Sequence, residues 1–424
     1  MEIVVSVHED MALAGAVREL ALEGFKGPGK PEYRSREKYV WLRGVTSRLW
    51  LDTGDAQAAE SVWSPEIEAL TTNNTLVNQV VQTGAMDGLV GYGARKIKEA
   101  RPDILPHDLV IEAGFLINAK LALSLVEKFG ACVSVEPHPD AASDIRQSLT
   151  FARRYSEIAP DHFFVKLPLT PDGFVAARIL GREGVRVNFT LGFSARQNYL
   201  AAEFAKPWFV NVFLGRLNQL VEENKLGSPE NVGEKAALAS DEIIKDIRAS
   251  NSDSSTQQIA ASMRSGKQVV TLAGVDVLTM PPKIAAEYLE MDVKKSDIYP
   301  RNWRDLEVNL NPNRMAEANS LIQLWEIGPE CISFVEDAVR QADRMETGAD
   351  LVDLSRQHRV ALFHDWTPED RRKIREKGKI PNITDWPGVP VDDLMSVSAL
   401  EAFAKDQAEL DARIERLIAE TLVR

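Results

Sequence analysis

Lys166 sits in an apolar run, Phe-Phe-Val-Lys-Leu-Pro-Leu-Thr (163–170). A lysine there admits two readings. Its stem can lie along apolar surface while the ammonium reaches water at a strand end. Alternatively the amine is desolvated, its pKa falls, and it attacks a carbonyl to form a Schiff base. Pro168 cannot donate to a strand ladder, so it places Lys166 at the C-terminal end of its strand. Other short runs end in polar groups as well. Asp52 closes Leu-Trp-Leu-Asp, Asn73 follows Leu-Thr-Thr, and Glu136 closes Val-Ser-Val-Glu. Asn188 and Thr190 are two apart and share one strand face, and Ser262 and Arg264 end Ala-Ala-Ser-Met-Arg. Each has an ordinary explanation alone: an Asp caps the next helix, and an Asn after Thr-Thr makes a turn. Gathered at one end of a sheet, they supply an amine, carboxylates, amides and a hydroxyl. Such a lining suits a polyhydroxylated carbonyl compound.

The elements that must position these groups alternate. Strands are expected at Arg48–Asp52, Ala69–Thr72, Ala131–Glu136, Phe163–Leu167, Arg186–Thr190, Phe209–Phe213, Gln258–Ser262 and Val275–Met280. Between them lie stretches with helical spacing, such as Ala141–Glu157, Pro171–Glu183 and Ser194–Glu203. Strands alternating with helices imply a parallel sheet, and eight such units in about 230 residues fit a closed (β/α)₈ TIM barrel. Leu109–Ala113 is a further strand candidate that does not fit the count.

The expected organisation is an N-terminal extension over 1–48, a barrel over 49–290, a mostly helical insertion or cover over 291–385, and a C-terminal helical region over 386–424. The extension holds a helix at Met11–Glu23 and a loop at Phe25–Tyr39. A helical stretch is expected near Glu317–Arg344. Leu400, Phe403, Leu410, Ile414 and Leu417 give Ser396–Leu422 an amphipathic face. The 291–385 stretch reads either as a cover on the barrel exterior or as a lid or oligomer surface that alters which substrate fits.

The 424 residues carry 50 Lys and Arg against 63 Asp and Glu, a formal net charge of −13. That balance argues against non-specific nucleic-acid binding, which runs on positive charge, but leaves room for a local basic pocket holding a phosphorylated metabolite. The two cysteines, Cys132 and Cys331, exclude a disulfide scaffold and point to a reducing, cytoplasmic setting. No apolar run reaches the ~18 residues of a membrane span, and the first residues carry no signal-like pattern. His8, His107, His138, His162, His358 and His364 show no metal-ligand spacing. No metal or cofactor is expected, because an iminium would itself be the electron sink.

Taken in order, Asp-Thr-Gly-Asp (52–55), Thr-Thr-Asn (71–73), Val-Ser-Val-Glu (133–136), Val-Lys-Leu-Pro (165–168), Asn-Phe-Thr-Leu-Gly-Phe-Ser (188–194), Phe-Leu-Gly-Arg (213–216), Ala-Ser-Met-Arg (261–264) and Leu-Ala-Gly-Val-Asp-Val-Leu-Thr (272–279) resemble the transaldolase family. The closing segment Ala-Lys-Asp-Gln-Ala-Glu-Leu (404–410) is similar to that family's last helix. The resemblance implies roles. Lys166 would be the Schiff-base lysine and Asp52 the general base for carbon–carbon cleavage. Glu136 would relay protons through a water held by Thr190. Asn73 and Asn188 would hold the hydroxyls of a dihydroxyacetone unit. Arg216, Ser262 and Arg264 match the phosphate-binding positions, while Asn211 and Phe213 would line the substrate pocket.

Related aldolases that release free dihydroxyacetone carry Gln at the Glu136 position and Tyr at the Phe213 position, so this chain resembles the transferases. It departs from the family at Asn74, where Pro is usual, and at Asn211-Val212, where Ser-Pro is usual. The resemblance implies transfer of a dihydroxyacetone unit from sedoheptulose 7-phosphate or fructose 6-phosphate to an aldose phosphate in the pentose phosphate pathway. Sugar phosphates are the expected partners, with no nucleic acid and no membrane; homo-oligomerisation stays open. The rival readings are an enzyme for an atypical sugar and a catalytically silent sugar-phosphate-binding barrel.

Overall fold

In the computed structural model, which describes residues 9–422, eight parallel strands close a barrel. They are β1 (Arg48–Asp52), β2 (Ile67–Thr71), β3 (Cys132–Val135), β4 (Phe163–Pro168), β5 (Val187–Thr190), β6 (Phe209–Phe213), β7 (Gln257–Ala261) and β8 (Val277–Met280). Each pairs with the next, and β8 closes on β1 through Leu49 opposite Leu278. All eight expected runs are strands; Arg48–Asp52 and Phe209–Phe213 match at both ends, and the other six shift by one or two residues. Their Val, Leu and Phe content follows from burial on both faces. His8 lies outside the described residues.

Alternation along each strand splits the barrel interior into layers. Trp50, Ala69, Phe164, Phe209, Ile259, Ala261 and Val277 form an apolar cluster of their own. Trp50 stacks on Phe164 at 5.6 Å between centroids and meets Phe209 edge-on at 4.6 Å. Two residues beyond Trp50, Phe164 and Phe209 on the same strand faces come Asp52, Lys166 and Asn211. The polar residues thus stand on an aromatic floor at the C-terminal end of the strands.

The Leu109–Ala113 candidate is not a strand. It lies within the helix Pro106–Phe129, which starts with Pro in its first turn and ends at Gly130 with φ 64°. This helix is packed on nearly all sides, so it carries no periodic polar face. Its Glu112 is fully buried and pairs bidentately with Arg154, at 2.8 and 2.6 Å. By length and composition the helix could cross a membrane, contrary to the sequence reading, but 89% of its apolar window is buried inside the fold. It is a core helix.

At the N-terminus Asp10 caps the helix Met11–Leu22, and the following loop ends at an unforeseen helix, Glu37–Gly44. Beyond Tyr288 the chain runs through short 3₁₀ turns before the helices Pro329–Gln341, Gly348–Gln357 and Pro368–Lys377. The expected single stretch over Glu317–Arg344 is interrupted before Gly328-Pro329, the pair that opens the helix Pro329–Gln341. Much of this region packs on the barrel's outer helices. Trp303 donates to Glu242 at 3.2 Å, and the Gly348 N–H donates to Asp172 at 2.8 Å.

The closing helix starts at Val391, earlier than its amphipathic pattern suggests, and runs to Leu422. Its first turn is locked to the loop after β5. Asp392 accepts two bonds from Arg196, at 2.8 and 2.7 Å, and one from Ser194 at 2.7 Å. Ser396 donates to the Leu191 carbonyl at 2.8 Å.

Candidate active site

The barrel's C-terminal end opens on a cavity of about 420 Å³. Asp52, Asn73, Lys166, Asn188, Asn211, Phe213, Arg216, Ser262 and Arg264 all line it. Nine of the eleven residues singled out in the sequence therefore converge. Glu136 instead lines a small space behind Lys166, together with His138 and Leu400, and Thr190 lines neither.

The Lys166 amine is held inside the barrel. The residue is 5% exposed, and its Nζ donates to the Thr72 carbonyl at 2.6 Å and lies 4.0 Å from Glu136 Oε2. The amine thus sits within the barrel, on the wall of the cavity, rather than on the outer surface. Register sets its neighbours, with Lys166 opposite Asn188 and Pro168 opposite Thr190.

Two carboxylates share the amine. Asp52 accepts from Thr71 Oγ1 at 2.7 Å, and Thr71 in turn meets Thr279 Oγ1 at 3.0 Å. Asp52 lies opposite Thr71 in the β1–β2 register, so both come to the same height in the barrel. Burial raises the Asp52 pKa, opposed by the Lys166 charge and the Thr71 hydrogen bond. Glu136 is pushed up to about 7, first by burial, with Lys166 opposing, Asp52 adding to the rise and Arg216 opposing it. Its Oε2 is buried without a hydrogen-bond partner, as are Thr190 Oγ1 and Asn188 Oδ1. Buried polar atoms of this kind are costly to leave unpaired, so a substrate or water would be held there.

Asn73, which lines the cavity, caps the helix Asn74–Gln82 by accepting from the Leu76 N–H at 2.9 Å, which leaves its amide nitrogen out of the cap. Asn74 is the first residue of that helix, a position that suits Pro equally well, so the departure there leaves the helix start intact. Asn188 donates to Ser134 at 3.0 Å. Asn211 is already engaged: it accepts from the Gly192 N–H at 3.0 Å and donates to the Phe189 carbonyl at 2.7 Å. Its first duty is to hold the loop after β5, and one amide hydrogen remains for a ligand.

A cationic corner faces the amine. Arg216 lies between the rings of Phe213 and Phe403, at 5.8 and 5.4 Å, with Nη1 buried and unpartnered. Burial, then the nearby Arg264, lowers its pKa to about 10, against the pull of Asp406 and Glu136. A Cβ on Gly215 would come 2.1 Å from the Ser262 carbonyl, so only glycine lets Arg216 and Ser262 approach this closely. Ser262 itself has φ 64°, a left-handed conformation uncommon outside glycine. Gln219 accepts from Arg264 at 3.2 Å. Such a pair of guanidinium groups suits a phosphate.

Several lining residues escaped the sequence reading. Thr71 and Thr279 lie in the motifs Thr-Thr-Asn (71–73) and Leu-Ala-Gly-Val-Asp-Val-Leu-Thr (272–279), where a lone Thr carries no signal of its own. Gln219 follows Arg216 by three residues on the helix Leu214–Glu223, a spacing that could have revealed it. Lys379, Ile380 and Phe403 also line the cavity, from chain far beyond the barrel. Part of the added segment therefore reaches the mouth rather than only covering the exterior. His138 stands near Glu136, and its Nε2 is 3.0 Å from Asp411 on the closing helix, a bracing contact. Among the described residues no group of three His, Cys, Asp or Glu is placed to hold a metal ion.

Comparison with known proteins places the chain among sequence relatives. The chain is 40% identical over 136 residues to a probable transaldolase of Roseobacter denitrificans, covering 31% of this chain and 54% of that protein. It is 34% identical over 218 residues to a probable transaldolase of Phenylobacterium zucineum, covering 50% and 84%. It is 30% identical over 258 residues to a transaldolase of Rhizobium rhizogenes, covering 58% and 76%. Against several relatives, including that of Roseobacter, the match spans only about half to two thirds of the relative's length. The family model described as transaldolase/fructose-6-phosphate aldolase matches residues 49–330, from β1 to well beyond β8. The chain belongs to the transaldolase/fructose-6-phosphate aldolase family.

Proposed function

We propose that this protein is a transaldolase that moves a dihydroxyacetone unit from a ketose phosphate to an aldose phosphate through a Schiff base on Lys166. The observation that carries the reading is the buried Lys166 amine, 4.0 Å from Glu136 and on the wall of the cavity that Asp52 also lines. The unprotonated amine adds to the donor ketone, and loss of water from the carbinolamine gives an iminium. Glu136 exchanges the protons of that step. Asp52 then takes the proton of the hydroxyl next to the scissile bond. The bond breaks, its electron pair moves into the iminium as an enamine, and the aldose phosphate leaves. The enamine carbon attacks the incoming aldehyde, Asp52 returns its proton to the new alkoxide, and water releases the product. Asn73 and Asn188 hold the dihydroxyacetone hydroxyls, and Arg216, Ser262 and Arg264 hold the phosphate.

Phe213 favours transfer over release of free dihydroxyacetone. A phenyl ring offers the enamine no proton, whereas a hydroxyl at that position would. Sedoheptulose 7-phosphate with glyceraldehyde 3-phosphate is the proposed pair. Borohydride reduction in the presence of fructose 6-phosphate should add the mass of a reduced sugar fragment at Lys166. Lys166→Ala should lose the adduct and all but a trace of turnover. Label or activity persisting in that variant would assign the nucleophile elsewhere. Free dihydroxyacetone accumulating at the full rate without an acceptor aldehyde would make it an aldolase.

A further inference from the structure

The residues that enter the cavity from beyond the barrel are held there by specific contacts. The helix Pro368–Lys377 ends at Gly378, whose φ of 109° and ψ of −168° lie in a region essentially confined to glycine. That turn sends the next residues toward the cavity. Ile380 is 9% exposed. Asn224, the C-cap of the helix that bears Arg216 and Gln219, donates to the Pro381 carbonyl at 3.0 Å and accepts from the Ile383 N–H at 2.9 Å. Lys377 pairs with Asp385 across the same turn. The backbone of Lys379 is thereby fixed to the element that carries the phosphate-binding corner.

Its side chain is held less closely. The Lys379 side chain is 60% exposed, and Asp406 Oδ2 lies 3.7 Å from its Nζ, beyond hydrogen-bond length. Exposed pairs of this kind are weak. Asp406 has a second partner, the Thr75 hydroxyl, so it does not depend on the lysine. Lys379 lines the same cavity as Arg216 and Arg264, where Arg216 already has a buried, unpartnered Nη1. At this corner Arg216, Arg264 and Lys379 outnumber the carboxylate of Asp406, a surplus of positive charge that matches a phosphate dianion.

We propose that Lys379 is a third phosphate-reading residue, which leaves Asp406 to pair with the terminal phosphate of a bound sugar. The proposal rests on the reading of the site as a sugar-phosphate enzyme. The segment after the barrel then acts as a specificity element: it makes the mouth more selective for phosphorylated over unphosphorylated sugars than two arginines alone would. Arg216 reads the phosphate from a fixed, ring-clamped position, and Lys379 from a flexible stem that closes on the ligand.

The test is titration of the full-length protein with inorganic phosphate by calorimetry at low and at high salt. Lys379→Met should weaken binding about tenfold at low salt, equivalent to about 1.4 kcal/mol, and less at high salt. Lys379→Arg should restore affinity to within about threefold. The ratio of KM for fructose to KM for fructose 6-phosphate should fall by a similar factor in the Met variant. Phosphate binding as tight in Lys379→Met as in the native protein, or no phosphate binding in the native protein, overturns the proposal. Phosphate binding that depends on Lys379 in a protein that forms no borohydride-trapped adduct would uphold the anion site and refute the Schiff-base reading.

Discussion

Glu136 and Asp52 flank one buried amine, yet their surroundings differ. Asp52 has a hydroxyl donor in Thr71, while Glu136 Oε2 has none and is pushed up to about 7, chiefly by burial. A carboxyl poised there exchanges protons readily near neutral pH. Acting as the relay base, Glu136 must be ionised, so kcat/KM should fall as pH drops through about 7. In Glu136→Gln that acid limb should vanish and the rate should fall by ~10²–10⁴, the usual range for a lost general base. A limb unchanged in the variant would mean that another group titrates. Lys166, Asp52 and Glu136 were legible in the sequence because Asp52 and Glu136 close short apolar runs and Pro168 fixes the strand end that Lys166 occupies. The prior engagement of Asn211 was not legible. Its amide bonds the Gly192 N–H and the Phe189 carbonyl, a consequence of how two neighbouring strands meet.

Among the elements, the closing helix bears most directly on the site. Its first turn is tied down by Asp392 and Arg196, whose side chains are 1% and 7% exposed. Removing one partner of a buried pair strands the other charge. Arg196→Met should therefore cost about 3–5 kcal/mol in urea unfolding, and the double change Arg196→Met with Asp392→Leu should recover most of the loss. Equal losses in the single and double variants would show that packing, not the stranded charge, sets the cost. The strands were readable because runs such as Val-Ser-Val-Glu and Phe-Phe-Val-Lys are short, apolar and bounded by turn residues. Leu109–Ala113 was not, because a helix buried all round loses the polar face that would set its period. Lys379 and Ile380 had no local signal, since they share a cavity with Arg264 through tertiary contacts such as those of Asn224 with Pro381 and Ile383.

For the molecule as a whole, stability is linked to protons through buried acids. Asp393 is pushed up to about 7 by burial, opposed by hydrogen bonds from the His364 N–H at 2.7 Å and the Trp366 Nε1–H at 2.8 Å. The folded protein thus binds this proton more tightly than the unfolded chain, where the carboxyl titrates near 3.8. Its contribution is fully present below about pH 4 and is lost as pH rises toward about 7. Asp393→Asn removes that dependence. The native-minus-variant difference in melting temperature should therefore decline between pH 4 and 7, whereas a flat difference would place the proton elsewhere. Glu136 carries the same sign, so the difference, rather than either curve, isolates Asp393.

Phe403 and Asp406 stand on the closing helix, and Lys379 and Ile380 lie just before it. A growing polypeptide is made from its N-terminus, so all eight strands emerge before these four side chains exist. The cluster of Lys166, Asp52 and Glu136 lies on or beside strands made early, whereas the part of the cavity wall built by Lys379, Ile380 and Phe403 is supplied last. The cavity is therefore complete only near the end of synthesis, after the barrel that it caps.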